Sequence, residues 1–438
     1  MPSPGIMTPD MLLEAYPILS AEERVEGFEL LGAQDAAEFF LSLSSRDQAE
    51  LLQLVGPDRS RPWIRLLAPD DAADLAQALP PESRGAYLAL LDPATLREVT
   101  ALLAYAEDAA GGLMNPRYMR LRPEITVEVA IRYLRRQAIR GIEVIDYAYV
   151  LDHDMRLLGV VSFRELFAAP SDTLVEEVMH RDLVTVAEHT DQEEVARLLT
   201  EHGFLAIPVV DAAGRMKGVV TADDVVEVVR EEATEDIQKI GGSEALEEPY
   251  LQIRFSEMVR KRGRWLAVLF LGEMLTATAM GFFEQEIARA VVLALFVPLI
   301  ISSGGNSGSQ AATLVIRAMA LGEVRLRDWW RVVRREMGTG LVLGLVLGAI
   351  GLLRIIIWQR FGEVYGEHYL EVGLTVAASL VGVVMFGTTA GSMLPFILRR
   401  LGADPASASA PFVATMVDVT GLVIYFTVAR LILGGTLL

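Results

Sequence analysis

The stretch VATMVDVTGLVIYF (413–426) is almost entirely apolar, yet it carries a carboxylate, Asp418, near its middle. Together with the apolar residues around it, the stretch is long enough to cross a bilayer as a helix, which takes roughly 20 residues. An ionised side chain at that depth is costly, so an intramembrane acid indicates a functional site by default. Few basic residues lie in the apolar segments, which disfavours a structural ion pair. We therefore expect a membrane protein with Asp418 at a functional site.

Five segments have the length and apolarity of a membrane-spanning helix. The sequence predicts a five-helix transmembrane domain with spans at about 265–283, 288–321, 338–358, 370–397 and 411–436. Basic residues cluster beside alternate ends of these spans, and such clusters mark the cytoplasmic side. We expect a multi-pass protein of the cell inner membrane, with its N-terminus in the cytoplasm and its C-terminus outside. The stretch RLRDWWRVVRREM (325–337) predicts an interfacial amphipathic helix, with Trp329 and Trp330 at headgroup level.

The second predicted span, FVPLIISSGGNSGSQAATLVIRAMA (296–320), contains a polar, glycine-rich interruption. Irregular backbone at membrane depth is tolerated only where it faces protein or water. The pattern favours a pore-lining break, in which Asn306 and Ser303 or Ser307 offer oxygens beside freed carbonyls. The alternative is a helix–helix contact made by the glycines. Glu273, in the first span, is a second intramembrane acid whose role, functional or structural, stays open.

The charge is distributed unevenly along the 438 residues. The formal net charge is −19 although the mean hydropathy is +0.36. Residues up to Tyr250 carry about −24 and the remainder about +5, so an acidic soluble half precedes a slightly basic membrane half. An acidic half argues against nucleic acid as a partner and for cations. The chain has no cysteine, which excludes disulfides and thiolate metal sites. We expect no signal peptide, because the N-terminus lacks a basic region and a long apolar core.

A helical repeat occupies the first hundred residues. LLGAQDAAEFF (30–40) resembles LLAPDDAADLA (66–76) at an offset of 36, which aligns Glu38 with Asp74. The repeat predicts an all-α solenoid of stacked helix pairs over about 10–108. Asp70 and Asp74 then share one helix face. A divalent cation would relieve their repulsion, although a solvated acidic face remains the alternative.

A second repeat, at an offset of 59, predicts two α/β units. VLDHDMRLLGVVSFREL (150–166) matches VVDAAGRMKGVVTADDV (209–225), and each is typical of strand, turn, strand and helix. An amphipathic helix precedes each copy. The motifs Gly159-Val-Val-Ser-x-x-Glu165 and Gly218-Val-Val-Thr-x-x-Asp224 resemble a pair of CBS motifs, a tandem (Bateman) α/β domain. The resemblance implies that the hydroxyl of Thr221 could hold a nucleotide ribose, with ATP as the candidate, whereas Glu165 departs from the usual aspartate.

An acidic segment, DDVVEVVREEATEDIQKIGG (223–242), follows the second copy and predicts a connecting helix. An acidic helix beside other acidic domains is either repelled by them or bridged to them by cations. It therefore has two arrangements between which an ion could choose.

The order of these parts resembles the MgtE family of magnesium channels along nearly the whole chain. The motifs that carry the resemblance are AGGLM (110–114), TDQEEVARLL (190–199), EEATEDI (231–237), SGGN (303–306), LPFILRRLGADP (394–405) and VATMVDVTGL (413–422). It implies four domains: a helical N domain (1–108), a tandem CBS domain (109–229), a connecting helix (230–262) and a transmembrane domain of five helices (263–438).

The resemblance also implies a function: a homodimeric, Mg²⁺-selective channel that conducts hydrated Mg²⁺ and is closed by cytoplasmic Mg²⁺ bridging the N, CBS and connecting-helix surfaces. The implied pore residues are Asn306, Gly305, Ser309, Thr313, Ala414 and Asp418. The implied regulatory Mg²⁺ ligands are Glu38, Asp70, Asp74, Asp191, Glu193, Asp224, Glu227, Glu232, Glu235 and Asp236. No hydrolase or transferase arrangement is visible, and we expect no enzyme activity.

Three positions depart from the family pattern. Ser309 and Ala410 stand where asparagine is usual, and Gly203 stands where an acid is usual, with Glu201 nearby. Two other functional classes stay open. One is an ion-coupled secondary transporter of divalent cations (Mg²⁺, and also Mn²⁺ or Co²⁺), with Glu273 and Asp418 as coupling acids. The other is a membrane-anchored nucleotide sensor.

Overall fold

The structure is a computed structural model that describes residues 7–138, 146–246, 250–251, 253–362 and 365–437. The chain divides into two compact units, Met1–Glu231 and Glu232–Leu438. The first unit contains the helical repeat and the α/β module, and the second contains the long apolar helices.

Eight α-helices follow one another within the described residues 9–102, and they begin every 12 residues. They are α1 (Pro9–Ala15), α2 (Ala21–Leu30), α3 (Ala33–Ser42), α4 (Ser45–Val55), α5 (Pro57–Ile64), α6 (Pro69–Ala78), α7 (Pro81–Leu88) and α8 (Pro93–Leu102). Side-chain oxygens cap four of them, at Thr8, Ser20, Ser44 and Asp92. The offset of 36 residues found in the sequence therefore corresponds to three successive helices, and it relates α3 to α6. The predicted all-α repeat is confirmed, but its unit is not a helix pair.

The two α/β copies have the same topology. They comprise α9 (Ala110–Leu113), β1 (Arg120–Leu121), α10 (Val127–Ala138), β2 (Tyr147–Leu151), β3 (Leu157–Ser162), α11 (Phe163–Ala168), α12 (Val175–Val178), β4 (Val186–Ala187), α13 (Gln192–His202), β5 (Ala206–Val210), β6 (Met216–Thr221) and α14 (Ala222–Ile240). Within each sheet the first two strands are parallel and the last two antiparallel, in the orders β1-β2-β3 and β4-β5-β6. The predicted succession of strand, turn, strand and helix is confirmed in both copies.

The second unit is helical. It comprises α15 (Phe255–Phe282), α16 (Glu284–Arg289), α17 (Val297–Ala320), α18 (Trp329–Gly362), α19 (Tyr369–Arg400) and α20 (Ala410–Leu433), with 3₁₀ turns at Val291–Phe296, Leu326–Asp328 and Pro405–Ser407. Within the described residues, five helices are long and apolar enough to cross a membrane. The predicted five-helix transmembrane domain is confirmed.

Helix α17 shows that the predicted break in the second span is wrong. Residues Ser302–Gly308 are helical like the rest of α17. Gly304 and Gly308 instead pack on Gly387 and Gly391 of α19: a Cβ at Gly387 would lie 2.4 Å from the Gly304 carbonyl oxygen, and one at Gly391 would lie 2.2 Å from that of Gly308. The glycines therefore bring two helix backbones into contact, the alternative that the sequence left open. An unbroken helix also keeps its peptide groups hydrogen-bonded inside a bilayer.

The predicted interfacial helix at 325–337 is, from Trp329 onward, the first part of a longer helix. Trp329 begins α18, which runs without interruption to Gly362. Trp329 and Trp330 are 51% and 58% exposed, as expected for side chains at a membrane surface. Gly338 does not end the helix, because one glycine costs a helix only about 1 kcal/mol.

Candidate ion pathway and acidic regulatory surfaces

Helices α17 and α20 lie side by side and antiparallel, and they bring the predicted pore residues together. Ser309 Oγ donates a hydrogen bond of 3.0 Å to the Ala410 carbonyl. One turn away, a Cβ on Gly305 would lie 3.4 Å from Ala414 Cα. The two departures from the family pattern, Ser309 and Ala410, are therefore bonded to each other.

Polar side chains form a stripe along α17, spaced three or four residues apart: Ser302, Asn306, Ser309 and Thr313. Asn306 Nδ2 donates to Ser302 Oγ over 3.5 Å, and Thr313 Oγ1 donates to the Ser309 carbonyl over 2.9 Å. Asn306 and Thr313 are exposed in the single chain. We call these four residues the α17 stripe. Since it flanks the contact with α20, it supplies hydroxyl and amide oxygens along one line.

Asp418 lies one turn beyond Ala414 on α20 and is half-buried. Its carboxyl group is hydrogen-bonded to that of Glu273 on α15. Two carboxylates within hydrogen-bonding distance of each other repel unless a proton or a cation lies between them. The sequence identified both acids but did not pair them, because nothing in the spacing shows that α15 packs on α20. Gly272 allows that contact, since a Cβ there would lie 2.7 Å from Thr415 Cγ2.

In the first unit, three of the predicted Mg²⁺ ligands lie close together. Asp74 of α6 faces Asp224 and Glu227 of α14, and Asp71 and Glu107 add further negative charge. Partial burial, reinforced by these neighbours, raises the pKa of the Asp74 carboxyl to about 8. Burial likewise raises the pKa of Asp224 to about 6, against hydrogen bonds from Thr221 that lower it. The fold alone therefore does not stabilise the ionised form of Asp74 at neutral pH.

The other predicted ligands of this unit have different surroundings. Asp70 is 7% exposed on α6, whereas Glu38, at the equivalent repeat position to Asp74, is exposed on α3. Asp191 caps α13 by accepting a hydrogen bond of 2.9 Å from the backbone N–H of Glu193. Gly203, one of the departures, ends α13 with a left-handed backbone (φ 65°). A helix end there explains glycine in place of an acid.

The end of α14 forms a second acidic cluster, with the loop between α19 and α20. Lys239 Nζ pairs with Glu235 and, over 2.7 Å, with Asp404. Burial, with Asp404 and Glu232 nearby, raises the pKa of Asp236 to about 6. The sequence analysis singled out the acids of α14 but missed Asp404 and Lys239. The only signal for Asp404 was its place in the motif LPFILRRLGADP (394–405).

Trp265 connects this region to the start of α20. Its Nε1 donates to Ser409 Oγ over 3.2 Å, and Ser409 caps α20 by accepting from the Phe412 N–H over 3.3 Å. Gly242 has a φ of 77°, and a Cβ there would lie 3.0 Å from Pro411 Cγ and 3.1 Å from the Trp265 ring. The turn after α14 therefore packs directly on the first turn of the helix that carries Asp418.

The hydroxyl and acid of each CBS motif bond to each other. Thr221 Oγ1 donates to Asp224 Oδ2 over 2.5 Å, and Ser162 Oγ donates to Glu165 Oε2 over 2.8 Å. Glu165 also contacts His180 Nε2 at 2.5 Å. In each copy the acid also accepts from the backbone N–H of the hydroxyl residue, so the longer Glu165 makes the same two contacts as Asp224.

No group of three or more acidic or histidine side chains converges at metal-ligating geometry within the described residues of this single chain. The acids that could hold Mg²⁺ are those of the two clusters, on α6 with α14 and on α14 with the α19–α20 loop. Mg²⁺ prefers oxygen ligands. It commonly keeps several bound waters and binds a protein through only one or two carboxylates.

Comparisons with known proteins agree with this architecture. Residues 297–428 match a divalent cation transporter family, MgtE, and residues 7–108 match the MgtE intracellular N domain. Residues 110–172 and 175–231 match the CBS domain. The magnesium transporter MgtE of Thermus thermophilus is 46% identical over 344 residues, which are 78% of this chain and 74% of that protein. The chain belongs to the MgtE family.

Two further proteins to which the chain is similar are also MgtE proteins. The magnesium transporter MgtE of Enterococcus faecalis is 32% identical over 335 residues, 76% of this chain and 71% of that protein. The solved cytosolic domain of the Mg²⁺ channel MgtE in complex with ATP is 44% identical and covers 50% of this chain and 90% of its own, with a TM-score of 0.48. MgtE proteins are membrane transporters and not enzymes, as the sequence predicted.

The acidic cluster around Asp74 makes stability depend on pH. The folded-state pKa of about 8 exceeds the ordinary value of 3.8, so stability present below about pH 4 is lost as the pH rises toward 8. At pH 7.5 without divalent cations, Asp74→Asn should raise the unfolding midpoint of the full chain by roughly 5 °C, and the gain should vanish near pH 4. Thermal unfolding in detergent measures this. Glu38→Gln, at the exposed equivalent position, should change the unfolding midpoint little. Equal shifts of the midpoint in both variants would contradict the expectation.

Proposed function

We propose that the chain forms a homodimeric, Mg²⁺-selective channel in the cell inner membrane, with the N-terminus cytoplasmic and the C-terminus outside. Its proposed domains are 1–108, 109–229, 230–262 and 263–438. The main support is the placement of Asp418 on α20 in line with Ala414 and Ala410, beside the α17 stripe. The arginines at the ends of α15, α17 and α19 support the orientation.

The proposed selectivity follows from the hydration of Mg²⁺. This ion loses water reluctantly and tends to keep several water ligands. In a twofold dimer, one Asp418 from each subunit would face the axis. The two carboxylates would accept hydrogen bonds from the bound waters, with the α17 stripe and the Ala414 carbonyl beside them. Such contacts select a hydrated divalent cation and still allow it to leave.

The proposed gate uses both acidic clusters. Mg²⁺ would bridge Asp74 to Asp224 and Glu227 at the start of α14, and Glu232 or Asp236 to Asp404 at its end. Each bridge replaces repulsion between carboxylates by attraction. Fixing α14 at both ends would then hold the turn at Gly242 against Pro411 and Trp265, and so hold the first turn of α20.

A nucleotide at the CBS pair is a secondary part of the proposal. The Thr221 hydroxyl and the Asp224 carboxylate would hold the ribose, but in this structure they are hydrogen-bonded to each other. Binding of ATP would therefore have to replace the hydrogen bond between Thr221 and Asp224 by hydrogen bonds from these residues to the ribose. Because Asp224 also belongs to the Asp74 cluster, nucleotide and Mg²⁺ would act on the same carboxylate.

One observation favours a second function, an ion-coupled transporter of divalent cations. The contact between Asp418 and Glu273 could share a proton that is exchanged for the transported ion. A channel predicts that Glu273→Gln keeps Mg²⁺ flux within about threefold of wild type and independent of a pH gradient. A carrier predicts that the variant loses most coupled flux. Uptake into proteoliposomes with and without a pH gradient separates the two.

The experiment that tests the proposed function compares Mg²⁺, Mn²⁺, Co²⁺ and Ca²⁺ flux through the purified dimer, together with single-channel recording. Unitary currents carried by Mg²⁺ and reduced by Mg²⁺ on the soluble-domain side support the channel. Saturating flux without unitary currents supports the carrier.

A further inference from the structure

We propose that the start of α18 binds the phosphate group of an anionic phospholipid. The site comprises Arg331, Arg334 and Arg335, with Trp330 beside them; Arg325 and Arg327 precede it. We call Arg331, Arg334 and Arg335 the arginine face. This inference needs only that α18 crosses a membrane, and it does not depend on which ion the protein transports.

The arginine face points away from α19, the helix on which α18 packs. Its three residues are spaced as i, i+3 and i+4, so they share one side of the helix. Val333, on the opposite side, is 8% exposed, and Gly340, two turns later on that side, packs on Thr388 and Met385 of α19. The three arginines are all exposed, and the Arg331 side chain is 87% exposed.

The charge of the face is largely uncompensated. Arg331 pairs with Asp328 over 3.3 Å. Arg334 and Arg335 form no ion pair with any residue that the structure describes, and the partly buried carboxyl of Glu336 interacts with Arg335 only at longer range. Each guanidinium can donate two parallel hydrogen bonds to one phosphate. Several arginines on one side of a helix therefore give a surface complementary to a phosphate.

The apolar part of the same helix face identifies a lipid as the occupant. Val342 and Leu345 continue the face and are 60% and 55% exposed. Arg335 and Val342 are two turns, about 10 Å, apart along the axis. That separation is comparable with the depth of the headgroup layer. One phospholipid could thus place its acyl chains on Val342 and Leu345 and its phosphate on the arginines. A free phosphate would use only half of this surface.

Trp330 and Trp329 fix the depth of the site. Their rings meet edge to face with centroids 5.5 Å apart, and both are more than half exposed. Exposed tryptophans settle at the membrane interface. They therefore hold the arginine face at the level of lipid phosphates.

The test measures lipid retained on the purified full-length protein by native mass spectrometry from micelles containing phosphatidylglycerol and phosphatidylcholine. Arg334→Gln/Arg335→Gln should reduce phosphatidylglycerol retention about tenfold or more, because each lost charge-assisted hydrogen bond to the bound phosphate weakens binding about tenfold. The matched control is Arg399→Gln/Arg400→Gln, a second exposed arginine pair at the end of α19. This control should change phosphatidylglycerol retention less than twofold. Phosphatidylcholine retention should not change in either variant.

Three outcomes would overturn the proposal. Equal retention in both variants would leave the arginines with a role in membrane topology only. Complete competition by glycerol phosphate at the same concentration would identify a free phosphate as the ligand. Loss of the dimer with unchanged lipid retention would show that a second copy covers the face. If the glutamine variant does not fold, Arg334→Lys/Arg335→Lys keeps the charge but not the paired donors, and an unchanged retention in it would also count against the site.

Discussion

Asp418→Asn should reduce Mg²⁺ flux into proteoliposomes at least 100-fold while leaving expression and dimer formation unchanged. The substitution keeps the size of the side chain and removes its charge. A hydrogen bond to a charged group contributes about 1.5–3 kcal/mol, and the proposed dimer would lose two of them where the ion must pass. The expected loss therefore reaches a factor of about 10²–10⁴.

The matched control is Glu371→Gln, which removes a carboxylate from the first turn of α19, where it contacts His368 at 2.5 Å. Flux through this variant should stay near the wild-type value, because Glu371 lies at the end of a span. Wild-type flux through Asp418→Asn would exclude Asp418 from the ion pathway. Loss of flux in both variants would indicate a general effect of membrane-helix charge.

Deleting residues 1–108 should raise the Mg²⁺ concentration needed for half-maximal closure about tenfold or more, with conduction retained. The deletion removes Asp70, Asp71 and Asp74 and leaves Asp224 and Glu227 on α14 with fewer carboxylates to bridge to. It also removes Glu107 and the hydrogen bond of 2.8 Å from Tyr105 to Glu188. Losing even one bridging carboxylate would cost about a factor of ten if its contribution is near 1.4 kcal/mol.

A less disruptive control is Tyr105→Phe in the full chain. It removes the bond to Glu188 and keeps every carboxylate of the Asp74 cluster, so its closure should stay close to wild type. Unchanged Mg²⁺ sensitivity in the deletion would place the sensor outside the helical repeat. A similar loss in Tyr105→Phe would instead assign the effect to domain attachment and not to charge.

Local patterns in the sequence predicted much of the fold because they report local energetics. The 36-residue repeat predicted the equivalence of α3 and α6, since each copy carries the same apolar spacing. The two α/β units followed from the 59-residue repeat and its strand and turn pattern, and their assignment as CBS copies followed from the resemblance of their motifs. The five spans followed from length and hydropathy alone.

What the sequence did not supply depends on contacts between distant segments. The glycines at 304 and 308 have two local meanings, a broken helix or a close helix contact, and only the partner glycines on α19 decide between them. Glu273 and Asp418 were both recognised, but their contact depends on the packing of α15 on α20. Lys239 and Asp404 were missed, because a lysine and an aspartate far apart in the chain look like ordinary surface residues.

The glycine contact between α17 and α19 restricts how a pore could widen. With no side chain between the two backbones, neither helix can rotate about its own axis without driving the side chains beside its glycines into the backbone of the other. The pair should move as a single rigid block. In the proposed dimeric channel the α17 stripe is then a fixed wall, and any change in pore width would come from α20 or from the subunits moving apart. Spin labels on α17 and α19 should report a constant separation in both states, whereas labels on α20 should report the motion.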